Sequence, residues 1–296
     1  MELRVLNYFL MVAREENMTR ASQLLHVTQP TLSRQIAQLE EELGIKLFTR
    51  SNHNINLTED GMLLKRRAEE LLTLADKTKR DFIHSEETLT GEITIGSGEF
   101  QNTRFLSQII ALCRKRYPQL RYRVYSGDAD NIRERIERGL LDFGLVLEPI
   151  DIRKYDFLSA PMKERWGIWV RTDSILAKKE TVGPKDLVGI PLIASANEFA
   201  LSELGKWFGE YYRQLDIVAT GNLLYNEAMF AKDGIGTVLG IELDCSYDYL
   251  HFIPLSPALE SSSVLIWKKD QIYSPAATAF LEIAKKYKKD ITDNNN

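Results

Sequence analysis

Thr28-Gln29-Pro30-Thr31-Leu32-Ser33-Arg34-Gln35-Ile36 is the stretch on which the reading of this chain turns. It opens as a helix: the Thr28 hydroxyl can accept an orphan amide proton of the first turn, and Pro30 has no amide proton to lose. The helix runs on through Ile36, Leu39 and Leu43 and stops at Gly44. Upstream, Leu6, Phe9, Leu10 and Ala13 mark one face of a first helix, and a second short helix spans about Thr19 to Leu25 before His26-Val27-Thr28. Downstream, Lys46 to Arg50 and Asn54 to Leu57 alternate around Ser51, Asn52 and His53, which predicts a two-stranded wing.

Residues 59 to about 88 read as one long helix with no Pro or Gly after Gly61. Leu64, Ala68, Leu71, Ala75, Thr78 and Phe82 follow seam spacing, so Leu64, Ala68, Leu71, Ala75 and Phe82 are candidate dimerisation positions. Packing of this helix on its own domain is the competing explanation. From Gly91 onward, short strands alternate with helices, the pattern of an α/β domain with mainly parallel sheet, and two lobes accommodate it better than one. The predicted division is 1–58, 59–90 and 91–296, the last with one lobe of about 91–162 and 267–296 and another of about 163–266.

The 296 residues include 44% hydrophobic and 27% charged side chains, which excludes collagen-like and wholly disordered chains. There is no stretch of about 18 apolar residues to span a membrane and no signal-peptide pattern. Cys113 and Cys245 provide no disulfide framework, so a reducing cytoplasm is expected. The net charge of -4 gives no bulk argument for nucleic acid, so such a claim must rest on local placement. Over residues 1–60 there are 6 basic and 8 acidic side chains, yet Thr19 to Gln38 holds Arg20 and Arg34 and no acid.

A short helix, a tight turn and a second helix bearing small polar donors form a helix-turn-helix, whose second helix can enter the major groove. Gln29, Pro30 and Ser33 fall at its exposed start; the Gln29 amide can pair with adenine, while Thr31 and Arg34 reach toward phosphates. The residues Phe9, Ala13, Met18-Thr19-Arg20-Ala21-Ser22, Leu24-Leu25, Val27 to Ile36, Leu39-Glu40, Leu43-Gly44, Leu47-Phe48, Arg50 and Leu57-Thr58-Glu59-Asp60-Gly61 resemble the LysR-type transcriptional regulators. Ser22 stands where that family commonly has a second Ala, and it keeps the side chain small. The resemblance implies a winged helix-turn-helix, a dimerising linker helix, and a two-lobed α/β effector domain resembling type 2 periplasmic binding proteins. It also implies a homodimer or homotetramer on double-stranded DNA, with Arg50 of the wing at phosphate or the minor groove.

Ligands of open α/β sheets sit beyond the carboxyl ends of strands, where helix N-termini offer amide protons. Ser97, Gly98, Glu99, Gln101 and Asn102 form the first such loop, with Glu148 and Ser195 on others; the family resemblance singles out Ser97, the residues after it, and Ser195 for the effector. Glu99, Glu148 and Glu198 oppose a simple dianion, which turns the expectation toward a polar or zwitterionic small molecule. A catalytic reading finds little support. Gln101 occupies the third glycine position of a dinucleotide fingerprint, there is no GxSxG or GK[ST], and His26, His53, His84 and His251 form no metal motif. No cofactor is expected, and a solute receptor without DNA function would have no use for the Thr28 to Arg34 edge.

Overall fold

The helix predicted from Thr28 is present as α3, Gln29–Leu43, third in a set with α1, Leu3–Glu15, and α2, Met18–Leu24. Thr28 caps α3 as expected, its Oγ1 accepting the Thr31 amide proton at 3.4 Å. Helix α2 starts one residue earlier than read from sequence because Asn17 caps it, Oδ1 accepting from the Arg20 amide at 3.0 Å. The wing follows as β1, Phe48–Arg50, and β2, Ile55–Leu57, antiparallel with Phe48 opposite Leu57. Helix α4 is Glu59–Asp81. The computed structural model describes the chain apart from residues 51–54, 82–88, 152, 196–197 and 295–296, and apart from the side chains at 50, 80, 81, 198–201 and 294. Two compact units result, Met1–Phe82 and Ile83–Asn296.

The first unit is built around Leu6, Phe9, Val12, Ala21, Leu32, Leu39 and Leu47, each essentially inaccessible. Every such Leu or Phe contributes about 1.5–3 kcal/mol by leaving water, which is how three short helices hold their crossing. Ser22 is buried in the same place, its hydroxyl donating to the Thr19 carbonyl at 2.8 Å. Gly61 explains why the start of α4 needs a residue without a side chain: a Cβ there would lie 2.2 Å from the Leu47 carbonyl oxygen. Thr58 closes the junction, donating to the Lys46 carbonyl at 2.6 Å and accepting from the Gly61 amide at 2.9 Å.

The seam read on α4 requires a correction. Ala68 is fully buried in the first unit's own core, with Leu64 packed beside it, so Ala68 cannot meet a second chain. The amphipathic face of α4 serves the winged domain first. Leu71 is 40% exposed, and Met62, Leu63 and Leu74 are exposed with it. Ala75 is half-buried, and Phe82 lies outside the described residues.

The second unit opens with β3, Gly91–Ser97, α5, Thr103–Arg116, β4, Leu120–Ser126, α6, Ala129–Glu137, and β5, Phe143–Leu147. A 17-residue strand, β6, Tyr155–Arg171, then leaves this lobe and enters the next. The second lobe adds β7, Pro191–Ser195, α7, Glu198–Phe208, β8, Asp216–Gly221, α8, Leu224–Lys232, β9, Thr237–Ile241, and β10, Leu250–Pro254. Strand β11, Glu260–Lys268, returns to the first lobe, and α9, Pro275–Asn294, packs there on β3 and α5, burying Ala277, Phe280 and Ala284 with Ile95, Phe105 and Phe143.

The sheet runs β4-β3-β5-β11-β6-β9-β7-β8. Strand β3 is parallel to β4 and β5, and β7 is parallel to β8 and β9, whereas β11 and β6 run antiparallel to their neighbours. Each lobe is therefore mixed, and the expectation of mainly parallel sheet is corrected. The reason is the crossover: a strand that leaves a lobe and another that returns must be opposed in direction. Only Gly167 to Val170 of β6 was legible as a strand, because the Lys163-Glu164-Arg165 segment that carries it between lobes breaks the apolar run.

Candidate functional site

Two places in the chain have the makings of a site, one in each unit. In the first, Gln29, Pro30, Thr31 and Arg34 are exposed along the opening turns of α3 and Ser33 is half-buried beside them. The predicted edge is thus one contiguous polar surface, with the Thr31 hydroxyl held 2.8 Å from that of Thr28. Much of the acidity counted in this region is engaged. Glu15 pairs with Arg20 and Arg14 at 2.8 Å, and Glu40 is buried beneath the wing. Glu40 Oε1 accepts from the Leu47 amide at 2.9 Å, and its other oxygen faces Lys46 Nζ at 2.6 Å. Burial works against ionisation of Glu40, but these donors outweigh it and hold its pKa below the usual value. The side chain of Arg50 lies outside the described residues.

In the second unit a cleft of about 190 Å³ opens between the lobes. Gly98, Glu99, Phe100, Asp128 and Arg133 face it from one lobe, and Trp166, Ser195, Leu224, Glu227 and Leu239 from the strand crossing and the other lobe. Glu227 is 5% exposed. Burial first, and then the charge of Glu99, push its carboxyl up to about 7. The Glu99 carboxylate accepts the amide proton of Leu224 at the start of α8. Arg133 donates to the carboxylate of Asp130 and, at 3.4 Å, to the Pro149 carbonyl. Trp166 is pinned by its indole Nε1–H, which donates to Ser261 Oγ at 2.9 Å.

Of the positions selected from sequence, Gly98, Glu99 and Ser195 line the cleft. Ser97 is buried behind it, its hydroxyl donating to the Gly98 carbonyl at 2.8 Å. Gln101 borders a shallower depression with Arg104 and Asp244, and Glu148 is half-buried outside the lining. Asn102 corrects the expectation that it touches ligand, because it is fully buried in a polar knot. Its Nδ2 faces Glu164 Oε1 at 2.7 Å, the Met162 carbonyl at 2.8 Å and Ser263 Oγ at 2.9 Å. That knot ties the α5 loop to both crossover strands. Trp166, Arg133 and Glu227 were missed; only an acid set among apolar neighbours in Leu224–Phe230 hinted at Glu227.

Residues 3–62 match the family profile described as bacterial regulatory helix-turn-helix protein, lysR family, and residues 86–289 match the LysR substrate binding domain. The chain belongs to the LysR family. Among its relatives, the Hca operon transcriptional activator HcaR of Escherichia coli (strain K12) is 28% identical over 292 residues, 96% of this chain and 97% of HcaR. The regulator BsdA of Bacillus subtilis (strain 168) is 32% identical over 143 residues, 48% of this chain and 49% of BsdA. Full-length CbnR, crystallised with its target DNA, has a TM-score of 0.74 at 19% identity, covering 97% of this chain and 99% of CbnR. At that identity the likeness speaks to the fold. A LysR-family chain with both domains is a DNA-binding transcriptional regulator with an effector-binding domain, and it is not an enzyme. Among the described residues no helix is long and apolar enough to cross a membrane.

Proposed function

We propose that this regulator works in the cytoplasm as a homodimer or homotetramer, reads operator DNA with the opening of α3, and changes its activity when a small molecule occupies the cleft between the lobes. In this account residues 1–58 read DNA, 59–90 space two readers and 91–296 sense. Gln29 and Ser33 face base edges, Pro30 packs against the groove, and Thr31, Arg34 and the wing residue Arg50 hold backbone phosphates. Gly98, Glu99 and Ser195 meet the effector directly. Ser97, Gln101, Asn102 and Glu148 act from behind as supports of the loops that do. Chains pair through the face of α4 that carries Leu71, Leu74 and Ala75.

The single observation that carries this reading is the exposed polar edge of a capped α3, supported on the hydrophobic core of the first unit. A winged helix used for protein contacts has no need of an amide, a hydroxyl and a guanidinium along one edge. CbnR, so similar in fold, was crystallised on its target DNA. Effector control follows if the open and closed lobes differ in affinity for the small molecule, since a ligand shifts an equilibrium only by its differential binding. Footprinting of the purified chain on DNA upstream of its own gene tests the reading. Protection of paired half-sites about one helical turn apart, or a multiple of it, is the expected result; no protection at low salt, with or without added small molecules, counts against it.

A further inference from the structure

Helix N-termini are the usual places for an anionic ligand, because their first amide protons lack partners. At three described helix starts in or beside this cleft, one or two of these amides are already taken by the chain's own carboxylates. At α5, Glu164 accepts from the amides of Gln101 at 3.0 Å and Asn102 at 3.4 Å. At α6, Asp128 accepts from the Asn131 amide at 2.8 Å. At α8, Glu99 takes the Leu224 amide. Arg133, the one guanidinium in the described lining, is engaged by Asp130 and the Pro149 carbonyl. Against it stand three lining carboxylates, Glu99, Asp128 and Glu227.

Glu227 is the group left over. It is 5% exposed, it lines the cleft, and its carboxylate receives no hydrogen bond among the described residues. Its position is built in: a Cβ on Gly221 would lie 2.5 Å from Glu227 Oε1, so the end of β8 is bare where the carboxylate rests. A buried carboxylate with no partner is costly unless something completes it. Phe100, Trp166, Leu147 and Leu239 supply apolar and aromatic walls, which also favour a cation through the negative faces of the rings.

We propose that the effector of this cleft is an organic cation, a protonated amine or guanidinium seated between Glu99 and Glu227 with its apolar body against Phe100, Trp166 and Leu239. The inference rests on the reading of this unit as effector-binding and names the chemical class it takes. Carboxylate effectors are disfavoured because three lining carboxylates face a single described guanidinium, Arg133, which is itself engaged by Asp130 and the Pro149 carbonyl. The raised pKa of Glu227 agrees with an acid whose counter-charge is to be supplied by the ligand.

The test uses the full-length protein and three groups of probes: primary amines and guanidines (phenethylamine, tyramine, agmatine), the carboxylate 3-phenylpropionate, and neutral 3-phenylpropanamide. Binding is read from tryptophan fluorescence and from the melting temperature of the tryptophan-bearing unit. At least one of the cations binds and raises the melting temperature, and the carboxylate does not. Glu227→Gln, checked for folding by circular dichroism, weakens the binding cation by about tenfold or more. The proposal is overturned if the carboxylate binds as well as the cations, if no cation binds at millimolar concentration, or if folded Glu227→Gln and Glu99→Gln proteins keep full cation affinity. Binding of the carboxylate alone overturns the cation while leaving the effector site standing. Absence of any footprint on upstream DNA strikes the broader reading instead.

Discussion

Replacing Glu227 by Gln isolates the energetic cost of the buried carboxylate that lines the cleft. The folded chain raises this carboxyl from an ordinary 4.5 to about 7. Between those two values the native protein keeps a proton that the unfolded chain has released, so native stability falls as pH rises through that window and levels off above it. At 1.36 kcal/mol per pKa unit the full loss is about 3 kcal/mol. Glutamine keeps the shape and removes the ionisation, so the variant has about the wild-type stability near pH 4 and exceeds it by about 3 kcal/mol near pH 8. Urea denaturation followed by tryptophan fluorescence reads this directly, because all four tryptophans, Trp166, Trp169, Trp207 and Trp267, lie in the second unit. Parallel stability curves for wild type and variant across this range refute the reasoning, as does a variant less stable at the alkaline end.

Other perturbations have equally definite outcomes. Glu40→Ala strips the wing amides and Lys46 of their acceptor and destabilises the first unit by about 2 kcal/mol in circular dichroism melts. Because the Glu40 pKa is depressed in the fold, that difference is fully present above its ordinary value of 4.5 and disappears as pH falls through the folded value. Asn102→Ala leaves the fully buried Glu164 with fewer donors and costs about 3 kcal/mol in the tryptophan-monitored transition. Paired Leu71→Asp and Leu74→Asp substitutions, placed on exposed positions of α4, lower the oligomeric state measured by analytical ultracentrifugation without changing the melt of the winged domain.

The reading head was legible because its signals are local. A Thr cap with a proline in the first turn, a periodic apolar face and a glycine stop decide α3 within seventeen residues, and Phe9, Leu32 and Leu39 meet in the core. Helix α4 was harder, since one apolar face can serve its own core or a second chain; Ala68 shows that the first use takes part of the seam. The long strand β6 was legible only over Gly167 to Val170, because its crossing segment carries three charges whose partners come from remote parts of the chain. Glu164 is the case in point: a charged residue in sequence, it becomes the buried acceptor for a loop sixty-odd residues away. Loop positions near the cleft were found by the rule that ligands sit beyond strand ends. That rule does not say which amide protons the protein has already satisfied, so Asn102 was misplaced and Glu227 overlooked.

Operator binding by the α3 edge is the claim on which the account stands. Its most direct test is the affinity of the wild type, Gln29→Ala and Arg34→Ala for the footprinted site, for single-base variants of that site, and at several salt concentrations. Gln29→Ala is expected to lose about 1–3 kcal/mol and to relax discrimination at one base position. Arg34→Ala is expected to weaken binding to every variant alike and to flatten the salt dependence by about one phosphate contact. Affinities, base preference and salt slope that stay at wild-type values in both folded variants would contradict the account.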